Sequence, residues 1–120
     1  MNTQIFQYNN NPVTFRMDGG ITYVSATEMA KPFGKRPNDY LSLPSTNELV
    51  KAITRKSGIA ENQLIKINRG GLNPATWLHE DVALDFAQWL SVDFRLWCLD
   101  RLKELLKYGI TATQPTIETI

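Results

Sequence analysis

Lys66-Ile67-Asn68-Arg69-Gly70-Gly71-Leu72-Asn73-Pro74-Ala75-Thr76-Trp77-Leu78 is the stretch on which the reading of this chain turns. Leu64, Ile65 and Ile67 on its left and Thr76-Trp77-Leu78 on its right favour extended structure, and Asn, Arg, two Gly and Asn-Pro lie between them. The pattern predicts a β-hairpin with a long tip. Gly70 and Gly71 can take positive φ and admit a second backbone closely, and Asn68 and Asn73 flank them. Lys66 and Arg69 place two cations at the root, and no carboxylate occurs between Glu61 and Glu80. A basic, glycine-rich hairpin is a common way to touch phosphates; the same pattern also describes an ordinary surface hairpin.

The rest of the chain bounds the choice. A length of 120 residues predicts one domain, and 42% hydrophobic and 21% charged residues are ordinary for a globular chain. No stretch approaches the apolar length of a membrane span, and Met1-Asn2-Thr3-Gln4 lacks the features of a signal peptide, so no membrane partner and a cytoplasmic location are expected. Cys98 is the single cysteine and forms no internal disulfide. The net charge of +1 says little, but its distribution says more. Residues 31–69 hold eight Lys/Arg against Asp39, Glu48 and Glu61, whereas residues 76–120 hold four against seven Asp/Glu. Such asymmetry points to a polyanion met by one face, because attraction follows the local field.

Read in order, residues 4–8, 13–17 and 21–24 predict three short strands. Ser25-Ala26-Thr27-Glu28 has capping-box spacing, with Ser25 satisfying a first-turn amide and Glu28 reaching back. The helix that follows is expected to kink or stop at Pro32, which lacks a donor. Gly34 suits its end. Pro37 is well placed to open a second short helix through Asn38, Asp39, Tyr40 and Leu41, closed by Pro44. Ser45-Thr46-Asn47-Glu48 reads as a second capping box, with Leu49, Val50 and Ile53 on one face of a helix ending near Gly58. Lys51 and Arg55 lie roughly opposite that face and Lys56 near its border, as a solvated face or as cations bridged by an anion. After the hairpin, residues 81–90 predict a mostly buried helix. Ser91 re-caps a last helix with Phe94, Cys98, Leu102 and Leu105 on its apolar stripe. The domain is expected to span 1–109, with 110–120 as a flexible tail or linker.

Catalytic and metal chemistry find little support. His79-Glu80-Asp81-Val82-Ala83 begins like a zinc-protease helix, but the second histidine is missing, and His79 is the only one in the chain. A helix-cap or surface role is expected for it. Cys98 falls on an apolar stripe, and Gly70-Gly71 is not followed by the Lys-Ser/Thr of a nucleotide-binding loop. A nuclease would need a carboxylate cluster on the basic face, where only Asp39, Glu48 and Glu61 stand. Neither an enzyme nor a cofactor is implied.

Several separated motifs nonetheless agree with one family. Tyr23-Val24-Ser25-Ala26-Thr27-Glu28-Met29-Ala30-Lys31, Phe33-Gly34-Lys35-Arg36-Pro37-Asn38-Asp39-Tyr40-Leu41, Gly70-Gly71, Thr76-Trp77-Leu78-His79 and Val82 to Ser91 resemble, in order and spacing, the KilA-N domain of bacteriophage and large DNA virus proteins. The match covers about residues 20–108. That family is similar to the fungal APSES transcription-factor domains. The resemblance implies an α+β, winged helix-turn-helix domain with a small antiparallel sheet and two C-terminal packing helices, which binds double-stranded DNA. It matches Ala26 to Phe33 to the first helix of the pair, Lys35 to Tyr40 to the turn and second-helix start, and Asn68 to Asn73 to the wing.

On that reading Lys35, Arg36 and the amides beside them hold phosphates, and Asn38 is the side chain suited to a base edge. Tyr40 is assigned to the core in preference to a contact. Arg69 and Asn73 reach an adjacent groove, Gly70 and Gly71 admit close approach, and Lys51, Arg55, Lys56, Lys66 and Asn68 complete the basic face. The expected setting is a phage or prophage protein of transcription regulation, acting at the bacterial nucleoid. The competing reading is an antirepressor-type module whose basic face meets an acidic regulatory protein.

Overall fold

Asn9 and Asn10 hold φ of 49° and 67°, and Gly19 and Gly20 hold 60° and 82°. These left-handed pairs make the two-residue turns that suit strand twist, so the first 25 residues fold as a three-stranded meander. The computed structural model describes residues 2–69 and 74–108. In it β1 (Asn2–Tyr8), β2 (Asn11–Asp18) and β3 (Ile21–Ser25) pair antiparallel, β5 (Ala75–His79) joins the far edge of β3, and β4 (Ile65–Asn68) pairs with β5. The sheet order is β1-β2-β3-β5-β4. With six helices beside it, the chain is α+β as expected.

Register sets the two faces. Phe15, Val24, Leu78 and Ile65 stand opposite one another across four strands and face the helices, where the first three are buried in the main core. Neighbouring positions Arg16, Tyr23, Trp77 and Lys66 fall on the other face, since side chains alternate along a strand. The core is completed by α1 (Ala26–Ala30), α5 (Glu80–Leu90) and α6 (Val92–Tyr108). Phe94, Cys98, Leu102 and Leu105 of α6 are buried as their spacing demands, and Tyr8, Phe33 and Trp97 pack around Phe94.

Helix ends show where local signals held. Ser25 Oγ accepts the Glu28 amide at 3.3 Å, making half of the expected capping box. Glu28 does not reach back. Its Oε1 accepts the Thr14 amide at 2.7 Å, because the ladder of β2 with β3 stops at Phe15 and leaves that amide beyond it. At Pro32 α1 gives way to a single 3₁₀ turn, Lys31–Phe33, and Gly34 ends it with φ 63°. Pro37 opens α2 (Pro37–Leu41). His79 caps α5 with Nδ1 accepting the Asp81 amide at 3.1 Å, and Ser91 caps α6 by accepting the Phe94 amide.

Two expectations fail. Pro44 opens α3 (Pro44–Ser57) from its first position, where the missing N–H costs nothing, and Ser45 to Glu48 therefore lie inside the helix instead of capping it. Thr46 turns inward, and its hydroxyl donates to the Tyr40 carbonyl at 2.7 Å. Leu64 closes a helical turn, α4 (Glu61–Leu64), instead of starting the strand, and the Tyr23 hydroxyl donates to the carbonyl of Gln63 in that turn at 2.6 Å. Leucine is itself a good helix former, and the bond ties the turn to β3. Tyr108 ends α6, and residues 109–120 lie outside those described. Among the described residues no helix is long and apolar enough to cross a membrane.

Candidate nucleic-acid interface

A groove of about 450 Å³ opens between the start of α2 and the root of the β4–β5 hairpin. Arg36 and Asn38 form one wall, Asn68 and Arg69 the other, and Thr27 and Thr76 lie between. The Thr76 amide donates to Thr27 Oγ1 at 3.3 Å, which ties the hairpin to α1 and fixes the two walls relative to each other. Among the described residues no carboxylate lines the groove. Arg36 and Arg69 are exposed, and among the described residues the Arg36 guanidinium forms an ion pair with Asp39 alone, at 3.3 Å, with side chains 81% and 52% exposed. Such a pair contributes little, so a phosphate can take its place. Four sequence-predicted residues from distant parts of the chain therefore meet here.

The other cations do not. Lys35 directs its ammonium onto the Trp89 ring of α5, 4.5 Å from the centroid, so packing already occupies it. Lys66 lies on the outer sheet face, with Nζ 3.3 Å from Asp18 Oδ2 and 4.8 Å from the Tyr23 centroid. Lys51, Arg55 and Lys56 are exposed on α3 and line no part of the groove; Lys56 borders a separate hollow beside Asp81. Gly70, Gly71 and Asn73 lie outside the described residues.

Tyr40 belongs to the core at 2% exposure, with its hydroxyl donating to Asp85 Oδ2 at 2.5 Å. Burial first, then that carboxylate, push the phenol far above its usual range. Burial likewise raises the Cys98 thiol, to about 12, which removes it as a nucleophile at neutral pH. Among the described residues no group of three His, Cys, Asp or Glu is placed to hold a metal ion.

Sequence reading missed Arg16. Its guanidinium stacks 4.4 Å from the Trp77 ring centroid, on the same outer face as Lys66. Strand alternation gave the signal: residues 13, 15 and 17 are apolar, so Arg16 must project from the opposite side. Which aromatic it meets there depends on the pairing of β3 with β5, a contact far apart in sequence.

No curated protein and no solved structure matches the chain. A family model does: it covers residues 6–108, beginning within β1 and so ahead of the motifs quoted above, and the chain belongs to the KilA-N domain family, a family of DNA-binding domains.

Proposed function

We propose that this protein binds double-stranded DNA in the groove between α2 and the β4–β5 hairpin, with α1 to α2 as a helix-turn-helix and the hairpin as its wing. The observation that carries the reading is the groove in which Arg36 and Asn38 stand across from Asn68 and Arg69, with no carboxylate among the described residues that line it. Two guanidinium groups supply forks that match phosphate geometry. Asn38, exposed at the second position of α2, supplies a carboxamide that can pair with both the N6 amino group and N7 of adenine. Positioning and reading are thus divided between neighbouring side chains, as duplex recognition requires. Lys51, Arg55 and Lys56 add long-range attraction from outside the groove, and Lys35 contributes less than its sequence position suggests, because Trp89 holds it. The setting proposed is a phage or prophage regulatory protein.

Amide chemical-shift mapping with a random-sequence duplex tests this directly. Shifts are expected at residues 36, 38, 67–69, 75 and 76 and not along α6. Shifts confined to α6, or none at millimolar duplex, would contradict it; the same groove responding only to an acidic protein would favour the protein-interaction reading.

A further inference from the structure

The outer face of the sheet carries a cluster that the groove does not use. Tyr23 is fully buried there, apart from the main core. The Arg16 guanidinium carbon lies 4.4 Å from the Trp77 centroid and 6.0 Å from that of Tyr23. Its Nε is buried with no hydrogen-bond partner, and no described carboxylate forms an ion pair with it. A cavity of about 630 Å³ opens beside Arg16 and Trp77, walled also by Thr3, Thr14 and Ser25. Glu28 is the one carboxylate among the described residues on its wall, and an oxygen of Glu28 is tied to the Thr14 amide. Through Thr27, Asn68, Pro74 and Ala75, which line both, this cavity runs into the α2–hairpin groove.

A guanidinium held over an indole has less conformational freedom left to lose, and it is more weakly hydrated than an ammonium. Left without a carboxylate, it is suited to an anion arriving from solvent. On a duplex already seated in the adjoining groove, the anions that pass next are backbone phosphates. We propose that Arg16, clamped on Trp77, is a second phosphate anchor that carries bound DNA from the groove across the outer face of β2. The proposal rests on the DNA reading above. It assigns Trp77 as the positioning residue and Arg16 as the contact.

The test is the salt dependence of duplex affinity, measured by fluorescence anisotropy. Arg16→Gln is expected to lower the slope of log K against log salt by about 0.9, the value for one lost phosphate contact. Arg16→Lys keeps the charge and so keeps the slope, with weaker affinity at every salt concentration. A loss of packing alone would change the melting temperature and leave the slope untouched. If Arg16→Gln does not fold, the Arg16 Nε–Hε resonance of the wild-type protein replaces it: a shift on duplex addition supports the anchor, and an unmoved resonance overturns it. An unchanged slope in Arg16→Gln, with Arg36→Gln/Arg69→Gln lowering it, overturns the anchor and leaves the groove standing. A wild-type protein that binds no duplex overturns both.

Discussion

Arg36 and Asn38 stand two residues apart on one wall of the groove, yet their loss should look different. On the proposed reading Arg36 meets a phosphate, which every nucleotide carries, whereas the carboxamide of Asn38 meets a base edge, which differs between nucleotides. Asn38→Ala is therefore expected to cost about 1 to 3 kcal/mol on a preferred site and little on random duplex, as competition anisotropy would show. Equal losses on both would make Asn38 a backbone contact. Tyr40 offers a test without DNA. Its phenol is held neutral by burial and by Asp85, far above the ordinary 10.0, so the folded state keeps a proton that the unfolded chain releases near that pH. The stabilisation is complete below about pH 10 and declines as pH rises further. Tyr40→Phe removes the bond to Asp85, a loss of about 1.5 kcal/mol at neutral pH. Denaturant melts should show the gap between wild type and variant narrowing above about pH 10. A gap independent of pH would mean that the phenol gains nothing from staying neutral. At this scale the sequence made Arg36, Asn38, Asn68 and Arg69 legible as candidates, because motif spacing and the placing of cations along the chain are local facts. The partners of Lys35, Lys66 and Arg16 were not legible, since Trp89, Asp18 and Trp77 come from other elements.

Between elements the chain shows one signal giving two outcomes. Ser25-Ala26-Thr27-Glu28 and Ser45-Thr46-Asn47-Glu48 read alike, but only Ser25 caps a helix, because Pro44 starts α3 one residue before Ser45. Ser25→Ala should lower unfolding free energy by about 1 kcal/mol in urea titrations, and Ser45→Ala should stay within about 0.5 kcal/mol. Matching losses would show that Ser45 does cap in solution. The helix boundaries set by Pro32, Gly34, Pro37 and Gly58 were readable because proline and glycine act on their own backbone. The turn α4 was not, since nothing in Glu61-Asn62-Gln63-Leu64 announces that a hydroxyl forty residues earlier will bind the Gln63 carbonyl. The same holds for β5 lying between β3 and β4: hairpins follow from neighbouring residues, but the joining of two hairpins into one sheet depends on distant pairing.

The whole molecule is polar in the electrical sense, and that polarity ties the fold to its use. The basic excess lies in residues 31–69, of which Arg36 and Arg69 line the groove, and the acidic excess of 76–120 includes α5 and α6, whose inner faces pack into the core. On the proposed reading, duplex affinity depends on the two guanidinium groups of the groove and not on positive charge in general. Comparing two variants of equal charge, Arg36→Gln/Arg69→Gln and Lys103→Gln/Lys107→Gln, by duplex affinity across a salt series tests this most directly. Both remove two positive charges from exposed helix or loop positions, so folding should change by no more than about 0.5 kcal/mol per site. The groove variant is expected to lose about 1.8 from the salt slope, at about 0.9 per contact, while the α6 variant keeps the wild-type slope. Equal losses from the two variants, or no loss from the groove variant while it remains folded, would contradict the account.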